Sequence, residues 1–128
     1  MNSDYLILFH VTPESNLASI RVNGVDPKYS SGVFKRSLFV QKSKLEWSII
    51  HVSARHHLPT DKLYIFTFDV RRSLVTRFAT KGVYYSTNVI EPESWFPAMG
   101  YEIDKNYQNL VAASVNREGL SGLYGWEG

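Results

Sequence analysis

Apolar and aromatic residues fill positions 5 to 9 without a break, Tyr5-Leu6-Ile7-Leu8-Phe9, and this run predicts a β-strand. The spacing then turns helical, with Leu17, Ile20 and Val25 keeping one apolar face. Thr12 offers an oxygen suited to an N-cap. Pro13 fits the first helical position, where its missing N–H costs nothing. Asn23-Gly24 supplies a left-handed stop, and Pro27 lies shortly beyond it. His10 is therefore expected where a strand ends and the positive end of a helix begins, a place suited to a polar or anionic ligand.

The rest of the chain alternates in the same way. Lys28 to Arg36 reads as a polar loop containing Ser-Ser-Gly, and Ser37-Leu38-Phe39-Val40-Gln41 as a short buried strand. From Ser43 the pattern is helical again: Leu45, Ile49, Val52 and Leu58 form the stripe, with Trp47 and Ile50 beside it. Ser43 and Glu46 match a capping box, and Pro59 ends the helix. Leu63 to Val70 is apolar on both faces at its centre, which predicts a strand internal to a sheet. Arg71 to Lys81 is a basic connection with a turn at Ser73-Leu74-Val75. Val83-Tyr84-Tyr85-Ser86-Thr87 is another strand, turning at Asn88 into the run Val89 to Trp95. Tyr101-Glu102-Ile103 is expected to be an edge strand, and Asp104 to cap a terminal helix through about Arg117. The order strand, helix, strand, helix, strand, strand predicts an α+β domain with a small sheet.

Length and composition narrow the class. A chain of 128 residues holds one core, here one domain over residues 1–118 with a glycine-rich tail over 119–128. With 44% hydrophobic and 20% charged residues it has the balance of a folded domain. A net charge of +2 does not by itself point to nucleic acid or a membrane surface. The absence of cysteine excludes disulfides and thiolate metal sites and fits a cytoplasmic setting. No apolar run approaches the roughly 20 residues of a membrane span, and Tyr5–Phe9 is too short, without a basic flank, for a secretory signal.

His10-x-Thr12, a polar stretch, Leu17-x-x-Ile20 and then Gly24-Val25-x-Pro27 resemble the first motif of the ADP-ribosyltransferase-like superfamily, where the opening is usually His-Gly-Thr. The small rifampicin ADP-ribosyltransferases and the RNA 2′-phosphotransferases are the nearest in layout. Leu38-Phe39-Val40 is similar to the second motif, in which relatives place a tyrosine where Phe39 stands. Gly82 to Thr87 followed by Ile90-x-Pro92-Glu93-x-Trp95 resembles the closing strand and exit of the 2′-phosphotransferases. The resemblance runs over residues 5 to 97. It implies a small split β-sheet with two or three helices, NAD as cofactor, and transfer of ADP-ribose to an acceptor that is a protein, a nucleic acid or a small molecule.

The resemblance also implies roles. His10 positions the cofactor at the nicotinamide-side ribose, Val11 stands where backbone groups bind the carboxamide, and Thr12 is a cap with a ligand contact. Phe39 stacks on nicotinamide, the alternative being an ordinary core aromatic. One of Tyr84 and Tyr85 faces the cleft, because neighbours alternate across a strand. The family's catalytic glutamate has no counterpart on the late strand. Glu91 is the candidate acid, ahead of Glu93 and Asp69, the alternative being a solvated turn residue before a proline. The alternative for His10 is a half-buried histidine satisfied by local backbone groups. The alternatives for the whole are a non-catalytic binding module on the same fold, or a 2′-phosphotransferase using Arg55, Arg71, Arg72, Arg77 and Lys81. His51, His56 and His57 lack the i, i+4 spacing of a helical metal pair and are expected along the exposed side and end of their helix. No metal is assigned.

Overall fold

The computed structural model describes residues 4–29, 36–78 and 81–101, with positions 106, 109, 110 and 113 beyond them. Among the described residues it is an α+β fold: a six-stranded antiparallel sheet with two named helices. The strands are β1 (Tyr5–Pro13), β2 (Ser37–Val40), β3 (Leu63–Arg71), β4 (Thr76–Arg77), β5 (Val83–Ser86) and β6 (Ser94–Pro97). The helices are α1 (Leu17–Asn23) and α2 (Leu45–His56). Across the sheet the order is β4-β5-β2-β1-β3-β6, so β1 is central and β3 is internal as its composition predicts.

Alternation along β1 divides the core in two. Leu6 and Leu8 point to one face, where Phe39, Phe66, Phe68 and Val70 pack with Ile20 of α1, Val25 and Ile90. Val11 points to the other, where Leu63 and Ile65 meet Leu45, Ile49 and Val52 of α2. On that same face Leu38, Val40 and Val83 meet Trp47 and Ile50, one step around α2. Phe39, Phe66 and Phe68 are at most 1% exposed, and each such ring contributes about 1.5–3 kcal/mol by leaving water. One face of the sheet thus carries α1 and the chain around Val25 and Ile90, and the other carries α2.

The ladders are unequal. β1 and β3 pair along nine residues, from Tyr5↔Arg71 to Pro13↔Leu63. β2 and β5 pair along four, as do β3 and β6. Between β1 and β2 the ladder is a single pair, Phe9↔Val40. All six strands belong to one sheet, where the resemblance implies a split one.

Several local expectations are corrected. β1 does not stop at Phe9 but continues through His10, Val11 and Thr12 to Pro13, because β3 pairs with it along its whole length. His10 therefore lies within a strand, and a 3₁₀ turn at Glu14–Asn16 separates the strand from α1. Thr12 caps no helix: its Oγ1 accepts a hydrogen bond from Asn16 Nδ2 at 2.9 Å. The capping box at Ser43 and Glu46 does not form, because Lys42–Lys44 winds as a 3₁₀ turn and α2 begins at Leu45. Thr76–Arg77, read from sequence as part of a connection, and Ser94–Pro97, at the end of the run after Asn88, are the two edge strands. Their pairing with β5 and β3 holds them extended without any strong apolar alternation of their own.

Other expectations stand. Gly24 closes α1 with φ at 74°, its N–H donating to Ile20 O at 2.8 Å. His57 takes the same left-handed role after α2, with φ 54° and ψ 44°. Positions 106, 109, 110 and 113 are helical. The expected loop over 30–35, the strand positions 102 and 103, the cap at 104 and the tail over 119–128 lie outside the described residues.

Candidate functional site

Residues paired directly across strands share a face of the sheet, and the register therefore traces one line through His10. His10 stands opposite Phe66 on β3, and Phe66 opposite Trp95 on β6. In the other direction the His10 and Phe39 ring centroids are 5.6 Å apart, Phe39 is opposite Tyr84 on β5, and Tyr84 opposite Arg77 on β4. Arg77, Tyr84, Phe39, His10, Phe66 and Trp95 thus form a transverse row with the histidine near its centre. Phe39 is locked from the side by Phe68, edge-on with centroids 5.0 Å apart. At the far end, Arg21 of α1 lies over the Trp95 ring at 5.1 Å.

The adjacent row on the same face is polar. Thr12 pairs with Tyr64, and Ser37 pairs with Ser86. Thr12, Ser37 and Ser86 are all buried. Ser86 Oγ donates to Leu74 O at 2.8 Å and accepts from Asn88 N–H at 2.9 Å, which fixes the turn after β5. A line of hydroxyls therefore borders the aromatic row. Sequence reasoning passed over Phe66, Ser37 and Ser86. The signal was their strand alternation with Phe39, Tyr84 and Phe68, but it becomes legible only once the register is known.

The chemical state of His10 follows from its surroundings. Its Nδ1 lies 2.7 Å from the Leu38 carbonyl oxygen, which can only accept, so Nδ1 carries the proton. Nε2 is then a bare lone pair; it is buried and has no hydrogen-bond partner among the described residues. Burial lowers the pKa of the ring, and the bond to Leu38 opposes this only in part. His10 is thus a neutral imidazole in a fixed tautomer, able to accept a hydrogen bond from a hydroxyl or amide. It lies well before α1, a helix of seven residues, so the expected helix-dipole site for an anion is not at His10.

The other sequence-predicted residues divide between the faces. Phe39 and Tyr84 share the row of His10. Tyr85 points the other way, opposite Leu38, against Phe78 at 5.1 Å and beneath the Arg36 guanidinium at 4.5 Å. The Val11 side chain belongs to the α2-side core. Asp69 is opposite Ile7 and lies on that face too. With Glu93, Thr67 and Ile7 it lines a shallow groove of about 310 Å³. A second open groove, about 680 Å³, runs past Ile7, Phe9, Lys42 and Asp69. His10 lines neither. Glu91 is exposed, one residue beyond the bridge in which Val25 N–H donates to Ile90 O at 2.8 Å. That bridge ties Glu91 to the α1-side face through Ile90, a member of its core.

The histidines of α2 depart from their expected exposure. His51 is 7% exposed and stacks on Trp47 at 6.2 Å. Burial, helped by the charges of Arg55 and His56, lowers its pKa to about 3. His56 is half-buried, and His57 is exposed. Among the described residues no helix is long and apolar enough to cross a membrane.

No protein-family model, curated protein or solved structure matches the chain.

Proposed function

We propose that the domain is an NAD-dependent ADP-ribosyltransferase, with His10 at the centre of its NAD site. The observation that carries this reading is the buried Nε2 of His10, an acceptor without a partner beside the Phe39 ring. A buried polar atom left unpaired costs about 1–3 kcal/mol. A ribose hydroxyl donating to Nε2 removes that cost and fixes the sugar. Tyr84, half-buried, offers ring surface for the nicotinamide; Phe39, Thr12 and Ser37 are buried in the closed sheet and join it only where the sheet opens.

NAD supplies an ADP-ribosyl group whose anomeric bond breaks with its electron pair leaving on nicotinamide. The acceptor's nucleophile then bonds to the anomeric carbon and loses its proton. The chain's part is to orient the sugar and to stabilise positive charge as it develops, rather than to supply a nucleophile. His10 orients. Glu91, the carboxylate tied to the α1-side face, stabilises the charge and takes the acceptor proton. The acceptor is a protein, a nucleic acid or a small molecule.

A second reading, a binding module without turnover, is favoured by the composition of the His10 row, which carries rings and Arg77 but no carboxylate. Calorimetry with NAD and incubation with NAD labelled in the adenylate part separate the two. Binding by the parent chain, lost in His10→Ala, with label transferred or NAD hydrolysed only when Glu91 is intact, supports the enzyme. Binding without turnover supports the module. No heat of binding at millimolar NAD defeats the enzyme and an NAD-binding module alike.

A further inference from the structure

We propose that the β1–β2 seam is the joint on which the two halves of the sheet open, and that the His10 side chain is its latch. The half-sheets are β4-β5-β2 and β1-β3-β6. Their internal ladders run two and four pairs in the first, nine and four in the second. One pair, Phe9↔Val40, joins them. Beyond that pair the Leu38 carbonyl of β2 accepts from His10 Nδ1 of β1, a side chain serving where a ladder would place a backbone donor. The seam has one ladder pair to break, whereas the boundaries on either side of it, β5–β2 and β1–β3, have four and nine. Stability is distributed unevenly in folds built this way, and the thin boundary is where sub-global opening begins.

The direction of opening follows from α2. Its Trp47 and Ile50 grip Leu38, Val40 and Val83 of one half, while Leu45, Ile49 and Val52 grip Val11, Leu63 and Ile65 of the other. Phe9 packs against both sets. The helix is therefore the spine of the joint, and the halves part on the opposite face. There the contacts that must yield are the His10–Leu38 bond and the packing of Phe39 against His10, Phe68 and the rest of the α1-side core. Parting them uncovers His10 Nε2, which is sealed in the closed sheet. The joint thus gives the proposed NAD site its route of entry, although the opening itself requires no ligand.

Amide hydrogen exchange on the full chain, without NAD, tests this apart from the functional reading. In the parent chain the amides of β2 and β5 are expected to exchange about tenfold or more faster than those of Phe66 and Phe68. They should do so through an opening less sensitive to denaturant than global unfolding. His10→Ala is expected to accelerate exchange at 38–40 by about another tenfold while leaving the β1–β3 amides unchanged. His10→Asn, whose amide can still donate to Leu38 O, restores the parent rates in β2. One shared opening for all strands overturns the proposal, as does equal acceleration of β2 and β3 in His10→Ala. If His10→Ala does not fold, the parent profile decides: a separate opening of β4-β5-β2 supports the joint, and a single global opening refutes it.

Discussion

His10 Nδ1 donates to the carbonyl of Leu38 across 2.7 Å, joining the central strand to its neighbour where their backbone ladder has shrunk to the pair Phe9↔Val40. The same bond sets the tautomer, and so leaves Nε2 as a lone pair with no partner among the described residues. One nitrogen holds the sheet together, and the other is the feature on which function is argued.

Removing the ring is expected to be costly. His10→Ala leaves a cavity beside Phe39 and strips a buried carbonyl of its donor. Together these losses amount to about 2–4 kcal/mol of stability. His10→Asn keeps a donor and is expected to lose roughly half as much. Urea unfolding monitored by far-ultraviolet circular dichroism measures both. Equal losses for the two variants would show that the bond to Leu38 contributes nothing.

Stability should fall on the acid side. Burial lowers the pKa of His10, and that of His51 to about 3, from an ordinary value of 6.5. The unfolded chain takes up these protons as pH drops through 6.5, while the native chain resists them. Stability from these groups is therefore complete at and above neutral pH. It declines below about pH 6.5, by up to about 1.4 kcal/mol per pH unit for each group. The His51 part of the decline levels off only near pH 3. His51→Phe, which keeps a ring beside Trp47, should flatten the profile. Denaturant midpoints that stay constant between about pH 8 and pH 5 would contradict the burial of both rings.

The faces of β5 assign its two tyrosines differently. Tyr84 lies in the His10 row and Tyr85 on the α2 side, so Tyr84→Ala should weaken NAD binding by about tenfold, the worth of a ring contact. Tyr85→Ala should leave NAD binding within about twofold of the parent once equal folding is verified. Titration calorimetry gives both constants, and the reverse ranking would refute the assignment.

How far the sequence carries this account depends on the residue. The α2 stripe, the internal strand β3 and the stop at Gly24 were legible because their causes are local: spacing, apolar runs and a backbone only glycine adopts easily. The length of β1 was not. Its polar end, His10 to Thr12, reads as a cap, and only pairing with β3 keeps it extended. Arg77 looked like a connection residue for the same reason. The alternation of Tyr84 and Tyr85 was visible, but which one shares a face with His10 needed the register Phe39↔Tyr84. The capping box at Ser43 shows the opposite failure, a sound local signal overridden by a 3₁₀ turn at the mouth of α2.

Gly24 anchors the segment that carries Glu91. Its φ of 74° and ψ of −176° belong to a region kept for glycine, and a Cβ there would stand 2.8 Å from Ile90 O. Gly24→Ala is expected to cost about 2–3 kcal/mol and to loosen the Val25–Ile90 bridge. Transfer from NAD should fall with it more than NAD binding does. A Gly24→Ala chain as stable as the parent would show that this backbone is not held as described.

Nitrogen-15 NMR of the His10 ring during titration with NAD at neutral pH tests the role of Nε2 most directly. A neutral ring with the proton on Nδ1 is expected in the free protein, with a shift of the Nε2 resonance toward a hydrogen-bonded value as NAD saturates. An Nε2 signal that does not move at saturating NAD, or a ring already protonated on both nitrogens without it, would contradict that role.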